Sequence, residues 1–128
     1  MSLDKMLAAH PQVETVTAEL ALAARHAMLC SLFCTSCADA CSAEDMDMSR
    51  CIRTCMDCAD ICAATARLAV RRTGQDTAML RSMIETCIAA CERCAEECEK
   101  HDHEHCRLCA EMCRECARDC RKALPLIR

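Results

Sequence analysis

Aromatic side chains are almost missing from this chain: Phe33 stands alone, and there is neither Tyr nor Trp. Glycine is as scarce, with Gly74 the only one, and the prolines are Pro11 and Pro125. A sheet protein draws on β-branched and aromatic residues and on turn glycines, so these shortages exclude a β architecture and leave helices. Charge of one sign is lacking too. The formal net charge is -4 over 128 residues, and no basic patch is interleaved with rings, which argues against nucleic acid as a partner. No unbroken apolar run of the ~20 residues needed to span a membrane occurs, because arginines or acids interrupt every candidate. The start, MSLDKMLAAHPQ, has no basic stretch followed by an apolar one and a cleavage site, so a cytoplasmic location is expected. The length suits one domain over residues 1–128.

What is abundant is cysteine, 17 residues in all. Such density usually marks a small secreted disulfide scaffold. Here the number is odd, no export signal is evident, and the cysteines lie in strong helix-forming sequence rather than in loops. In a reducing cytosol these thiols stay free for metal.

Helix signals divide the chain. Leu3–Ala9 reads as a short helix closed by His10-Pro11. With Pro11 in a first turn, a long helix is expected over residues 12–43. The stretch CSAEDMDMSR holds the next turn, where Asp45 or Asp47 can cap a second helix that reads to about Arg72. Gly74 marks a second turn. Asp76 or Thr77 can cap a third helix, reaching about Lys100. HDHEH is the third turn, with Asp102 as N-cap of a fourth helix that ends near Ala123, ahead of Pro125. Short connections between long helices predict an all-α fold: an antiparallel up-down-up-down four-helix bundle with a short N-terminal helical segment.

The cysteines form an internal repeat on that frame. The first long helix carries Cys30, Cys34, Cys37 and Cys41, and the second Cys51, Cys55, Cys58 and Cys62. The third carries Cys87, Cys91, Cys94 and Cys98, and the fourth Cys106, Cys109, Cys113, Cys116 and Cys120. Alternating steps of three and four keep one helix face toward a bundle axis, so all four stripes can face one interior. Antiparallel topology then predicts layers. Cys41, Cys51, Cys98 and Cys106 share one end, followed by Cys37, Cys55, Cys94 and Cys109, then Cys34, Cys58, Cys91 and Cys113, then Cys30, Cys62, Cys87 and Cys116. His26, Ala66, Met83 and Cys120 come next. At 1.5 Å per residue the thiol-lined section spans roughly 20 Å. Beyond it Leu20, Leu22, Leu68, Val70, Leu80 and Ile84 form an aliphatic core, covered by Leu3, Met6 and Leu7 where the last helix stops short. Met46, Met48, His101, His103 and His105 mark the opposite end as a mouth.

Isolated buried cysteines are usually inert packing. A core built of them fills space poorly, because sulfur at Cβ is smaller than a leucine side chain, and the shortfall calls for an occupant. Thiolate selects Cu(I), Zn and Fe–S clusters. Charge narrows the choice: one Cu(I) per thiolate neutralises the interior, whereas Zn at four thiolates leaves a formal dianion at each site. Residues i and i+4 stand ~6 Å apart and can clamp a Cu(I) between them. The pairs are Cys30–Cys34, Cys37–Cys41, Cys51–Cys55, Cys58–Cys62, Cys87–Cys91, Cys94–Cys98, Cys109–Cys113 and Cys116–Cys120, with Cys106 left for a site at the mouth. CxxxCxxC at Cys30, Cys51 and Cys87 has a spacing also used for Fe–S clusters, but on a straight helix the three sulfurs form a line rather than surround a cube. CxxC in every helix gives a row of equivalent thiols, unlike a redox pair with one low-pKa member. Glu-x-x-His, which di-iron bundles use, does not occur. Beyond the cysteines, His26 is a candidate ligand beside Cys120, His103 and His105 are candidates at the mouth, and Met48, with Met46, is a soft docking group. Met28, Met56 and Met112 read as helix–helix contacts, and Asp57, Asp60, Glu92 and Glu111 as solvated faces or ion pairs.

These stripes, the HDHEHC junction, the segment ahead of HPQ and the lack of a twin-arginine signal resemble the cytosolic branch of the bacterial copper storage proteins, cysteine-rich four-helix bundles. The resemblance covers nearly the whole chain. It implies a homotetramer of non-enzymatic bundles, each storing many Cu(I) ions admitted through one open end. His26 departs from the pattern where extension of the stripe suggests another cysteine. A zinc or general soft-metal buffer is the alternative, and a thiol redox protein the third reading.

Overall fold

The computed structural model describes residues 2–13 and 17–127. Its elements are α1 (Leu3–Ala8), α2 (Ala18–Ser42), α3 (Ser49–Val70), α4 (Thr77–Cys98), α5 (Glu104–Ala123) and a 3₁₀ turn, Leu124–Leu126. Each long helix packs on two neighbours, in the closed order α2, α3, α4, α5 and back to α2. Short turns force consecutive helices to run antiparallel, and the result is the expected all-α bundle.

The helix ends follow local chemistry. Asp76 accepts from the Met79 N–H at 3.0 Å and caps α4. Asp47 accepts from the N–H and hydroxyl of Ser49 at 2.9 and 2.5 Å, so it serves the start of α3 although Met48 is the N-cap. Gly74 adopts φ 58°, a left-handed conformation in which nothing would touch an added Cβ. At the end of α3 the Leu68 carbonyl accepts from the Arg71 N–H at 3.3 Å, and Gln75 Nε2 donates to the Leu68 and Arg71 carbonyls at 3.4 and 3.2 Å.

Two expected boundaries are corrected. α2 begins at Ala18 rather than Gln12, and Pro11 lies in a turn. His10 closes that turn: its Nδ1 accepts from the Gln12 N–H at 3.1 Å and its carbonyl from Val13 at 3.4 Å. The helix expected over residues 14–16 lies outside the described residues. Asp102 is not the cap of α5. His103 holds that position without a side-chain cap bond, and Glu104 supplies the negative charge that suits a helix N-terminus.

α2 also corrects the membrane argument. By length and composition Ala18–Ser42 could cross a bilayer, because alanines and thiols both count as apolar. Here its inner residues are buried against α3 and α5.

At the aliphatic end, Leu20, Leu80 and Ile84 are buried, with Leu68, Val70 and Leu3 packed against them. Leu7 is buried, but Met6 is 73% exposed and covers nothing. The cover that α5 lacks comes from its own continuation: the 3₁₀ turn delivers Ile127 into the core, and Arg81 Nη2 donates to the Ile127 carbonyl at 2.6 Å. His10 Nε2 meets the Thr73 hydroxyl at 2.9 Å, which ties the N-terminal segment to the α3–α4 turn.

Ile84→Ala should destabilise the reduced, metal-free protein by about 2–5 kcal/mol, since it empties a fully packed site. Gly74→Ala should cost about 1–2 kcal/mol from backbone strain alone. Urea unfolding followed by circular dichroism reads both.

Candidate metal centre

All 17 cysteines are free thiols, and none is more than 1% exposed. Each stripe is the inner line of its helix, so the sulfurs converge on the axis from four sides. Cys34 is typical: its sulfur lies 3.9 Å from Cys30, 3.9 Å from Cys94, 3.8 Å from Cys109 and 3.7 Å from Cys113. Cys62 lies 3.6 Å from Cys91 and 3.8 Å from both Cys87 and Cys58.

The expected flat layers are staggered. Cys98 touches both Cys51 and Cys55, at 3.9 and 3.7 Å, and so stands between two α3 levels. Cys34 stands in the same way between Cys109 and Cys113. The donor sets whose sulfurs lie within 4.8 Å of one another therefore overlap. They include Cys37, Cys55, Cys98 and Cys109; Cys34, Cys94, Cys109 and Cys113; Cys30, Cys34, Cys58 and Cys113; and Cys30, Cys58, Cys62 and Cys91. Three of the i,i+4 pairs are in contact, Cys30–Cys34, Cys37–Cys41 and Cys58–Cys62, at 3.9, 4.0 and 3.8 Å. Contacts between helices are as close, so sulfur can bridge neighbouring ions along the axis.

Packed thiols share their ionisation. Sulfur–sulfur hydrogen bonds, Cys113 foremost for Cys30 and Cys109 foremost for Cys94, push these two down, while Cys109 in turn holds Cys113 up. At the mouth, burial raises the Cys106 thiol to about 12, helped by repulsion from Cys37 and Cys51. A thiol gives up its proton when it binds a metal, so metal uptake by these groups is coupled to proton release.

At the bottom the inner line differs from the expected one. Steps of three and four from Cys41 lead through Cys30 to Ala27, fully buried, and from Cys98 through Cys87 to Ile84. His26 and Met83 stand one position off that line and are partly buried. His26 Nδ1 pairs with the Oδ2 of Asp119, a buried carboxylate on α5, and lies 3.8 Å from Glu115 Oε1. Thr65, Ala66, Ala69 and Ala123 are buried at this end.

The mouth is polar. His105 Nδ1 lies 3.4 Å from the sulfur of Cys37 and 3.6 Å from that of Cys106, and these groups with Cys41 form a further donor set. Burial favours the neutral His105 ring, but the Cys37 sulfur and Glu44 carboxylate outweigh it and raise its pKa above the ordinary imidazole value. His103 stacks on His105 with centroids 5.4 Å apart. His101 Nε2 meets Glu97, a buried carboxylate that also binds Lys100 and, from α3, Arg50. Met48 is buried in the core, whereas Met46 is 53% exposed. A polar groove of about 710 Å³ runs from Cys98 and the turn at His101–His103 along α5, past Arg107, Glu111 and Arg114. The acids expected on solvated faces behave so: Asp57 pairs with Arg53, Glu92 with Arg121 and Glu111 with Arg107, and Asp60 is exposed. Of the three methionines expected between helices, Met112 is buried, but Met28 and Met56 are exposed. Glu44 and Asp119 escaped the sequence reading because each meets its histidine only through the fold, whereas Glu97 stands four residues before His101, a local spacing that could have marked it.

The profile of a family described as copper storage protein matches residues 16–125. Among solved structures, the copper storage protein Ccsp of Streptomyces lividans, loaded with 10 copper equivalents, superposes with a TM-score of 0.92 at 38% identity, covering 97% of this chain and 98% of its own. The same organism's cytosolic copper storage protein with five coppers gives 0.82 at 43% identity, over 84% of this chain and 92% of its own. A variant of Ccsp with one histidine replaced by alanine gives 0.83 at 41%, over 86% and 95%. No curated protein sequence matches.

Burial at this level has a direct consequence for reactivity. A bulky disulfide reagent should label the native, reduced, metal-free protein slowly, with Cys41 and Cys106 leading, and should count all 17 thiols only in denaturant. Peptide mapping of the first label checks the order.

Proposed function

The chain belongs to the copper storage protein family, and we propose that it takes up many Cu(I) ions along its sulfur-lined axis, holding them for storage and detoxification in the cytoplasm. The observation that carries this reading is the overlap of the four-sulfur sets. Seventeen thiols used four at a time would close at most about four zinc sites. Sets that share sulfurs suit an ion that accepts few ligands and tolerates bridging, and Cu(I) also cancels the thiolate charge as it enters. No turnover is ascribed to the chain.

In this reading all four cysteine stripes are ligands, from Cys30 through Cys120. Loading proceeds through the end that carries His103, His105 and Met48, where Cys106 and His105 provide a mixed sulfur and nitrogen site. His26 stands off the inner line with its Nδ1 held by Asp119, so its part at the deep end, as a ligand through Nε2, is the weakest member of this set. The homotetramer implied by the family has a surface to support it: Leu29, Leu32, Phe33 and Leu108, on α2 and α5, are 41%, 61%, 37% and 42% exposed. Contiguous apolar exposure of this kind suits a contact between copies.

Anaerobic titration of the reduced protein with Cu(I), against a competing chelator, tests the storage reading. The expected plateau is at or above the 10 equivalents carried by the Streptomyces relative. A plateau near about four, or equal retention of Zn(II), would favour the zinc buffer instead. Leu32→Glu should lower the mass seen by light scattering from the tetramer toward the monomer, with the helical content unchanged.

A further inference from the structure

Glu44 lies in the turn between α2 and α3, far in sequence from the histidines it meets. Its Oε2 is 2.8 Å from Nε2 of His105 and 3.4 Å from Nδ1 of His103. An ionised carboxylate only accepts hydrogen bonds, so the Nε2 of His105 carries a proton. A neutral imidazole has one N–H and one lone pair, and the lone pair therefore falls on Nδ1. That nitrogen faces the sulfurs of Cys37 and Cys106 and completes a donor set with Cys41. The parallel stack with His103, at an interplanar angle of 7°, restricts the ring from its other side.

We propose that Glu44 is a positioning residue for copper uptake: by holding the Nε2–H of His105 it fixes the ring and presents Nδ1 as the nitrogen donor to ions arriving at Cys37, Cys41 and Cys106. This rests on the Cu(I) reading above and adds to it the group that orients the mouth ligand. An outer carboxylate on the far nitrogen of a ligating histidine sets tautomer and orientation and raises ligand basicity. Glu97 meets the Nε2 of His101 at 3.0 Å in a similar way, but its second oxygen also serves Arg50 and Lys100, so it ties α3 to α4 as well. Glu44 has its contacts with the two histidines, and one of them touches sulfur.

The test is a double-mutant cycle on uptake of the first Cu(I) equivalents from a chelator, by stopped flow, with Glu44→Ala, His105→Ala and the pair. Glu44→Ala should slow uptake or weaken early binding about tenfold or more, the range typical of lost outer-sphere carboxylates. In the His105→Ala background the same change should have no further effect. Glu44→Gln, which keeps a hydrogen-bond acceptor without the charge, should recover most of the loss. In ¹⁵N spectra the first equivalent should shift His105 Nδ1 in the wild type and not in Glu44→Ala. A loss under about twofold, an equal loss with or without His105, or a Gln variant as slow as the Ala variant would overturn the proposal. Helical content by circular dichroism checks that each variant is folded. Failure of the storage reading is separate, because it appears as a low plateau in the wild-type protein itself.

Discussion

Everything in this molecule follows from placing small, polarisable sulfur where a bundle normally places leucine. Four inner lines of thiols bring neighbouring sulfurs to 3.6–4.0 Å. Each contact is a weak hydrogen bond in a region that water does not reach. Buried alanines beside the cysteines and the aliphatic end complete the same core.

That arrangement also sets the electrostatics. Uncompensated thiolates are costly in a dry interior, where sulfur–sulfur hydrogen bonds favour the ionised form at Cys30 and Cys94 and burial opposes it at Cys106. A monovalent soft cation removes the penalty as it replaces each proton. The charge of the interior then stays close to constant during filling, and the helices need not move apart to relieve repulsion.

The two ends of the bundle divide the work. One is closed by Leu20, Leu80, Ile84 and Ile127, with the N-terminal helix and the His10–Thr73 contact laid over it. The other carries stacked histidines, buried Met48 and acids that orient the imidazoles. The aliphatic end is closed by packed side chains, and the polar ligands gather at the other.

The helical class, the count of long helices, the turn at Gly74, the cap at Asp76 and the choice of inner faces were all legible in the sequence, because periodicity and capping act within a few residues. The same holds for the soft-metal chemistry, which residue type and charge dictate. The tertiary structure decided matters that depend on how helices slide and rotate against one another. The half-level stagger that makes the sulfur sets overlap is one. The inner place of Ala27 rather than His26, by contrast, follows from continuing the steps of three and four past Cys30, since a single residue step turns a side chain by about 100° around the axis. The closing of the aliphatic end by Ile127 rather than Met6, and the pairing of Glu44 with His105 and of Asp119 with His26, join residues from opposite parts of the chain. Spacing in sequence carries no trace of such partners, because they meet only when the bundle has closed.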